Sequence, residues 1–137
     1  MISYLGSRLK KAPWWPEEVW QDCVEKNNGV LKTYYQAKIA ADQVLYEEGK
    51  KRKDFAAICL RPGILTTEPA GKVKLGKLFE SGTSSRASVA EVTALLLDSP
   101  NVKSSWLDLL DGDEDPEAAV KRSVEEGVDA AEGEPFY

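Results

Sequence analysis

Residues 55–60, Phe-Ala-Ala-Ile-Cys-Leu, form an unbroken apolar run that has the length of one β-strand. A strand with one face in water alternates polar and apolar residues, whereas a parallel strand covered by helices on both faces is apolar throughout. Arg61-Pro62-Gly63 follows the run, and ligands of open α/β sheets bind beside the carboxyl ends of strands. The run therefore predicts an α/β fold with a buried parallel sheet. Residues 61–63 are either a ligand-facing turn or a plain strand end.

A long helix is predicted just before this strand, over residues 30–45, because strong helix formers dominate that stretch. Gly29 precedes the helix and Gly49 follows it. Tyr34 and Lys38 stand four residues apart, so a phenol and an ammonium lie one turn apart on one face. A neighbouring cation stabilises the phenolate form of a tyrosine and equips it to exchange protons, although such pairs also arise by chance. The predicted buried stripe of this helix consists of Leu31, Tyr34, Ile39, Ala41 and Leu45.

Further helices and strands alternate along the rest of the chain. Helices are predicted to begin near Pro16, Ser88 and Asp115, and strands are predicted over residues 72–75 and 105–110. This alternation is typical of an α/β domain. Three tryptophans in the amino-terminal part either wall a substrate pocket or pack in the core, namely Trp14, Trp15 and Trp20.

The composition fits a folded domain and excludes several classes of function. The chain has 137 residues, enough for one domain with a core, and 42% of them are hydrophobic. It has no histidine, which removes His-based catalytic triads and most zinc sites, so we expect no metal. Its two distant cysteines are expected to be buried structural thiols. Scattered basic residues argue against nucleic acid, and no apolar run approaches the ~20 residues of a membrane span. We therefore expect a cytoplasmic protein.

Acidic residues are concentrated in the last part of the chain. Residues 108–137 hold 11 acidic and 2 basic side chains, while the net charge of the whole chain is −5. The body is therefore mildly basic, which suits a phosphate-bearing ligand and equally suits solvated lysines. We expect residues 1–126 to form the domain and residues 127–137 to be a flexible acidic tail.

Four short motifs occur in an order that resembles a known family. They are Ile2-Ser3-Tyr4-Leu5-Gly6, Tyr34-x-x-x-Lys38, Arg61-Pro62-Gly63 and Ser85-Arg86-Ala87-x-Val89-Ala90. In order and spacing they resemble the second half of the short-chain dehydrogenase/reductase family, most closely its atypical, NmrA-like branch. The resemblance runs from Met1 to about Gly112. It implies a partial Rossmann-type parallel sheet with flanking helices, the second half of a doubly wound NAD(P)-binding domain.

The resemblance also implies an activity, NAD(P)-dependent oxidoreduction of a small-molecule substrate. Tyr34 would donate a proton to a carbonyl as hydride arrives from the cofactor. Lys38 would stabilise the phenolate and hold the nicotinamide ribose, and Ser3 would polarise the substrate. Arg61-Pro62-Gly63 would lie beside the nicotinamide. From the residues alone, Ser3 is equally the end of a strand.

The phosphate-binding part of such a domain is not found in the sequence. No G-x-G-x-x-G turn is present, and no acid ends a strand about 20 residues beyond one. We therefore expect the carboxyl-terminal half of a domain, its exposed strand edge covered by a homodimer or by the missing amino-terminal half. The sequence does not distinguish NAD from NADP. Three functions stay open: an oxidoreductase, a non-catalytic NmrA-like sensor or partner-binding protein, and an inactive fragment.

Overall fold

The structure is a computed structural model that describes residues 1–137. In chain order its elements are α1 (Glu17–Asn28), α2 (Lys32–Lys51), β1 (Ile58–Pro62), β2 (Ile64–Thr66), β3 (Val73–Gly76), β4 (Thr83–Ser85), α3 (Arg86–Asp98), β5 (Ser105–Asp111) and α4 (Pro116–Glu125). None of the helices is both long and apolar enough to cross a membrane.

The central sheet has the strand order β1–β5–β3. β1 and β5 are parallel, whereas β3 runs antiparallel along the other side of β5. Ile2 makes a parallel bridge to Leu60, so residues 1–3, named here the edge segment, extend the sheet beyond β1. β2 and β4 form a small parallel pair of their own. The first six residues of β5 are buried, as expected of a parallel strand covered on both faces.

Helices cover both faces of this sheet, because successive residues of a strand point to opposite faces. Leu60 and Leu107 are register partners on one face, where they join the apolar side chains of α3 and α4. Cys59 and Trp106 are register partners on the other face, where they pack against α2 and residues 130–131. The predicted α/β architecture, a parallel sheet between helices, is therefore present.

The predicted helix starts agree with the structure at two of three places. α1 begins directly after Pro16, and α4 begins at Pro116 with Asp115 as its N-cap. The prediction for α3 was wrong, because its N-cap is Ser85 and not Ser88. The Ser85 hydroxyl oxygen accepts the Ser88 N–H at 2.9 Å, so Ser88 already lies in the first turn.

Gly49 lies inside α2, which continues to Lys51, and does not follow the helix as predicted. At this point the helix passes very close to the segment that leads into β1. A Cβ on Gly49 would lie 2.5 Å from the Ala57 Cβ and 3.1 Å from the Ser104 hydroxyl oxygen. Glycine is therefore needed here for close approach of two backbones and not to end the helix.

We expect Gly49→Ala to lower the free energy of unfolding by about 1–3 kcal/mol, because overpacking exceeds the ~1 kcal/mol that alanine gains as a helix former. Gly71→Ala is the matched control, since no atom lies within 4 Å of the position of its added Cβ. Urea unfolding followed by circular dichroism measures both variants. A Gly49→Ala protein as stable as the wild type would mean that α2 moves away from Ala57 at little cost.

Residues 129–137, named here the terminal segment, pack against the α2 face of the sheet, and they lie within residues 127–137, whose flexibility stays a prediction. The Ala130 N–H donates to the Trp106 carbonyl at 2.8 Å, and the Trp106 N–H donates to the Asp129 carboxylate at 2.8 Å. The ring centroids of Phe136 and Trp106 are 5.4 Å apart. These contacts are made by the few small and aromatic residues that stand among the acids of this segment.

Both cysteines are free and buried, as predicted. Burial raises the pKa of the Cys23 thiol and of the Cys59 thiol, so both stay protonated at neutral pH. Each therefore behaves as a small packing residue with a weak S–H donor.

Candidate functional site

Tyr34 and Lys38 lie on the first two turns of α2, beside the edge segment. The Lys38 Nζ is 5.6 Å from the centroid of the Tyr34 ring, and it donates a hydrogen bond to the Ile2 carbonyl at 3.0 Å. The Tyr34 ring contacts the Tyr4 ring at a centroid distance of 5.1 Å, and 48% of Tyr34 remains exposed. The structure thus brings the predicted phenol and ammonium together at an accessible surface beside the sheet edge.

Ser3, the predicted substrate ligand, points into the protein. Its hydroxyl donates to Asp42 Oδ2 at 2.6 Å, and the Ser7 hydroxyl donates to the same oxygen at 2.6 Å. Ser3 and Asp42 are both buried. A hydroxyl has a single proton to donate, and here that proton is held by a carboxylate. These contacts favour the structural alternative for Ser3, and its role toward a substrate stays a prediction.

Sequence reasoning missed Asp42, which lies one turn after Lys38 on the buried face of α2. Besides the two serines, the Cys59 Sγ donates to Asp42 Oδ1 at 3.5 Å. Burial raises the pKa of Cys59 most, and the negative charge of Asp42 raises it further. The buried stripe of α2 consists of Ile39, Asp42, Tyr46 and Gly49. An acid placed between apolar residues at helical spacing was the signal in the sequence that could have identified Asp42.

We expect Asp42→Ala to lower the free energy of unfolding by about 2–4 kcal/mol, because it leaves two buried serine hydroxyls without their charged acceptor. Asp22→Ala is the matched control on α1, where the exposed carboxylate pairs only with Lys26 at 2.6 Å. Its loss should cost about 0.5 kcal/mol or less. Thermal and urea unfolding measure both changes. Equal effects of the two substitutions would contradict the buried role of Asp42.

The Arg61-Pro62-Gly63 turn is engaged inside the protein. The Arg61 guanidinium is completely buried, donates to the Leu5 carbonyl, and lies 3.4 Å from the Asp108 carboxylate. Burial raises the pKa of Asp108, and the positive charge of Arg61 opposes that rise. The Gly63 N–H donates to the Leu109 carbonyl at 3.0 Å. A cofactor contact at this turn would have to come from its backbone, and the observed contacts favour a plain strand end.

Residues 4–8, which follow the edge segment, are fixed by the two amino-terminal helices. The Tyr4 hydroxyl donates to the Asn27 side chain of α1 at 2.7 Å, and burial raises the pKa of this phenol. The Tyr35 hydroxyl of α2 donates to the Arg8 carbonyl at 2.9 Å. These contacts hold Tyr4 where its ring meets Tyr34, so the exposed phenol has a fixed neighbour.

Arg8 connects this loop to the terminal segment. Its guanidinium donates to the Ala130 carbonyl at 2.7 Å and the Glu132 carbonyl at 2.9 Å, and it lies 3.2 Å from the Glu134 carboxylate. Burial lowers the pKa of Arg8 to about 10, and the nearby charge of Arg61 lowers it further, so Arg8 remains charged at neutral pH. Burial raises the pKa of Glu134 against the attraction of Arg8. The Arg8–Glu134 pair therefore holds the terminal segment over the α2 face of the sheet.

The tryptophans behave as packing residues. The indole N–H groups of Trp14 and Trp15 both donate to the Leu78 carbonyl, at 3.2 and 2.8 Å. The Arg8 guanidinium lies 5.4 and 5.7 Å from the centroids of the same two rings. Trp15 and Trp20 meet edge to face at 6.3 Å. These contacts favour the packing alternative over a pocket wall.

Comparison with known proteins identifies a family and a relative that this chain resembles. Residues 1–100 match the model of a family described as NAD(P)H-binding. A curated relative, the "uncharacterized sugar epimerase YhfK" of Bacillus subtilis (strain 168), is 36% identical over 99 residues, which are 72% of this chain and 44% of that protein.

Two solved structures are similar in fold. The oxidoreductase ylbE of Lactococcus lactis superposes with a TM-score of 0.67 at 22% identity, over 90% of this chain and 50% of that chain. A Bacillus halodurans protein, described as a candidate NAD-dependent epimerase/dehydratase, gives a TM-score of 0.66 at 25% identity, over 89% and 50%. The predicted Rossmann-type α/β fold is therefore confirmed. The chain spans about half the length of the relatives it matches.

Proposed function

Since this chain belongs to the NAD(P)H-binding family, we propose that it forms the nicotinamide-binding side of an NAD(P)-dependent oxidoreductase. We further assign it to the short-chain dehydrogenase/reductase type, in the NmrA-like branch. The observation that carries the proposal is the Tyr34–Lys38 pair, with an ammonium 5.6 Å from an exposed phenol ring beside the sheet edge. The molecule acted on is a small carbonyl compound or the corresponding alcohol.

The proposed chemistry uses the two side chains in different roles. The cofactor, when bound, supplies or accepts hydride at the substrate carbon. The Tyr34 hydroxyl gives its proton to the substrate oxygen as negative charge develops there. Lys38 stabilises the resulting phenolate and holds the ribose hydroxyls of the nicotinamide nucleotide. Tyr4 keeps the Tyr34 ring in place through the ring contact at 5.1 Å.

The residues of this chain fit only one end of such a cofactor. An ammonium and a phenol suit the ribose and the substrate oxygen, whereas the buried Arg61 and Arg8 guanidiniums are held by internal partners. The sequence contains no glycine-rich turn for a pyrophosphate. The proposal therefore assigns the pyrophosphate and adenosine contacts to residues outside these 137.

A second candidate function is a sensor of the nicotinamide nucleotide that performs no turnover. It is favoured by the hydrogen bond from the Ser3 hydroxyl to Asp42, because the third predicted catalytic group is thereby turned away from a substrate. In that case Tyr34 and Lys38 bind a nucleotide, and the bound state is read by a partner protein.

Reduced nicotinamide mononucleotide is the probe that tests the proposal, because it contains only the part of the cofactor that this chain should hold. We expect saturable binding, seen as a change in nicotinamide fluorescence, and about tenfold or greater weakening in Lys38→Met. Lys32→Met is the control, since Lys32 is exposed on the same helix and has no ion-pair partner. Equal binding by Lys38→Met and Lys32→Met would overturn the proposed site.

Turnover separates the two candidates. A preparation that binds the nucleotide and oxidises NADPH or NADH in the presence of a carbonyl compound is an oxidoreductase. Binding without turnover, across a panel of aldehydes and ketones, would favour the sensor. Comparing NADH with NADPH in the same assay also decides which cofactor is preferred.

A further inference from the structure

Residues 3–7, named here the serine turn, are bound at both ends to a single oxygen atom. The Ser3 and Ser7 hydroxyls each donate to Asp42 Oδ2 at 2.6 Å, a length typical of hydrogen bonds to an ionised acceptor. Between them, the Ser7 N–H donates to the Tyr4 carbonyl at 3.0 Å and closes the turn. Ser3, Ser7 and Asp42 are at most 3% exposed, so bulk water does not compete for these contacts. The serine turn is therefore fixed to Asp42.

Asp42 belongs to the same helix as the candidate site. Tyr34, Lys38 and Asp42 follow one another at intervals of four residues along α2, which is about 6 Å of helix axis per step. The serine turn is also bound by side chains of α1 and β1, among them Asn27 and Arg61. Asp42 is the residue of α2 whose side chain hydrogen-bonds to the turn. The position of the turn relative to Tyr34 therefore depends on this carboxylate.

The serine turn carries the ring that contacts Tyr34. Tyr4 directly follows Ser3, and its ring centroid lies 5.1 Å from that of Tyr34. A closed path of contacts thus runs from Tyr34 along α2 to Asp42, through the serine hydroxyls to Tyr4, and back to the Tyr34 ring. Because a shift of one member of a closed path strains the others, the Asp42 carboxylate helps to set where the exposed Tyr34 phenol lies.

Stability alone does not account for a carboxylate at this place. Removing a carboxylate from water is costly, and apolar side chains of similar volume often replace buried charged groups without loss of stability. Directional hydrogen bonds add what apolar packing lacks, namely a single permitted arrangement of the groups that they join. The third contact of Asp42, from the Cys59 thiol at 3.5 Å, is long and weak, so the two serines are its main partners.

We propose that Asp42 is a positioning residue for the proton transfer by Tyr34, a role that rests on the proposed function. Its carboxylate holds the serine turn, the turn holds the Tyr4 ring, and that ring keeps the Tyr34 hydroxyl in one orientation toward the substrate oxygen. Asp42 does not touch the substrate, and Ser3 acts in this arrangement as an anchor of the turn. A displacement of about 1 Å in a reacting group can reduce a rate about 100-fold, so the indirect contact should be visible in turnover.

Asp42→Leu and Asp42→Asn form the matched pair that tests the proposal. Leucine removes the acceptor of both hydroxyls, whereas the side-chain oxygen of asparagine can still accept them. We expect kcat to fall about 10–100-fold in Asp42→Leu, while KM and nucleotide affinity stay within about threefold of the wild type. Asp42→Asn should retain most of the turnover. Ser7→Ala should lower kcat about three- to tenfold, and because Ser7 is not a candidate substrate ligand, that loss reports the anchoring of the turn.

Replacing all three polar groups separates positioning from stability. Asp42→Leu leaves two buried hydroxyls without an acceptor, whereas the triple variant Ser3→Ala/Ser7→Ala/Asp42→Leu leaves none and should recover much of the lost stability. If Asp42 only stabilised the fold, the triple variant would recover turnover as well, and that result would overturn the proposal. Low turnover at recovered stability, together with the loss in Ser7→Ala, which retains Ser3, supports it.

The contact between the two tyrosine rings gives a readout that needs no turnover. We expect nuclear Overhauser cross-peaks between the ring protons of Tyr4 and Tyr34 in the wild type and in Asp42→Asn, and their loss in Asp42→Leu. If Asp42→Leu does not fold, the triple variant takes its place in both measurements. Cross-peaks that persist without the carboxylate would overturn the proposal, and so would their loss at a wild-type rate of turnover. Cross-peaks that depend on Asp42 in a protein that neither binds the nucleotide nor turns over would reject the proposed function, and would keep Asp42 as the residue that fixes the Tyr34 ring.

Discussion

Replacing Trp106 with alanine should lower the free energy of unfolding by about 3–5 kcal/mol, the largest effect on stability that we expect from one substitution. The side chain is completely buried, and its ring contacts Tyr46 and Phe136 at centroid distances of 6.4 and 5.4 Å. The Arg61 guanidinium lies 4.6 Å from the same centroid. Alanine would remove these contacts and leave a cavity between the sheet, α2 and the terminal segment. Urea unfolding followed by circular dichroism measures the loss.

Two further variants show that buried volume is the cause. The Trp106 indole N–H has no hydrogen-bond partner, so Trp106→Phe gives up no hydrogen bond and should cost only about 1–2 kcal/mol. Phe79→Ala removes an aromatic ring from a residue that is 40% exposed, and should cost less than about 1 kcal/mol. A Trp106→Ala protein no less stable than Phe79→Ala would contradict the packing of the terminal segment against this ring.

Replacing Tyr34 with phenylalanine should reduce turnover by about 10²–10⁴-fold, in whichever preparation containing the chain catalyses oxidation of the reduced nicotinamide cofactor. The change removes only the hydroxyl that we propose as proton donor. The ring contact with Tyr4 remains, and about half of the residue is exposed, so stability should hardly change. Steady-state loss of reduced nicotinamide absorbance gives the rate, and fluorescence titration gives the affinity. We expect the rate to fall far more than the affinity.

Tyr35→Phe is the matched control for this substitution. Its hydroxyl donates to the Arg8 carbonyl at 2.9 Å, away from the proposed chemistry. Loss of that hydrogen bond should cost about 1 kcal/mol of stability and leave turnover within a few-fold of the wild type. If both phenylalanine variants turned over at the wild-type rate, Tyr34 would not be the proton donor.

The architecture could be predicted from the sequence because the patterns that indicate its strands and helices are local and periodic. The apolar run at 55–60 gives the core of β1, although the strand itself is shifted to Ile58–Pro62. The strands predicted at 72–75 and 105–110 are β3 and β5, and proline and acids at helix starts located α1 and α4. Such signals depend on a few neighbouring residues and need no knowledge of the tertiary structure.

The orientation of α2 was not predictable in the same way. Of the five residues predicted to form its buried stripe only Ile39 is buried, whereas Tyr34 and Ala41 are exposed. The helix has apolar residues on two sides, because one side packs on the sheet and the other continues the surface beside the edge segment. The spacing of the apolar residues identifies both sides of the helix but does not show which side is buried. The true stripe passes through Asp42, which a hydrophobic pattern discards.

The candidate site was predicted in part. The sequence placed Tyr34 and Lys38 on one helix face, since four residues make one turn whatever the tertiary fold. It did not reveal that Ser3 bonds to a carboxylate 39 residues away, or that Arg61 is neutralised within the sheet by Asp108. Those contacts depend on which strands become neighbours, and that is decided by the whole chain.

The hydrogen bonds between Arg8 and the terminal segment have a consequence for biosynthesis. They join Arg8 to the carbonyls of Ala130 and Glu132, which lie 122 and 124 residues further along the chain. Because these contacts require residue 8 and residues 130–134 to be present together, the terminal segment covers the α2 face only after residues 130–134 have left the ribosome. Until then the Trp106 ring lacks the part of its cover that the terminal segment provides, including the contact with Phe136. A nascent chain therefore carries exposed aromatic surface until the terminal segment has emerged and packed, and a chaperone has that surface to bind during this interval.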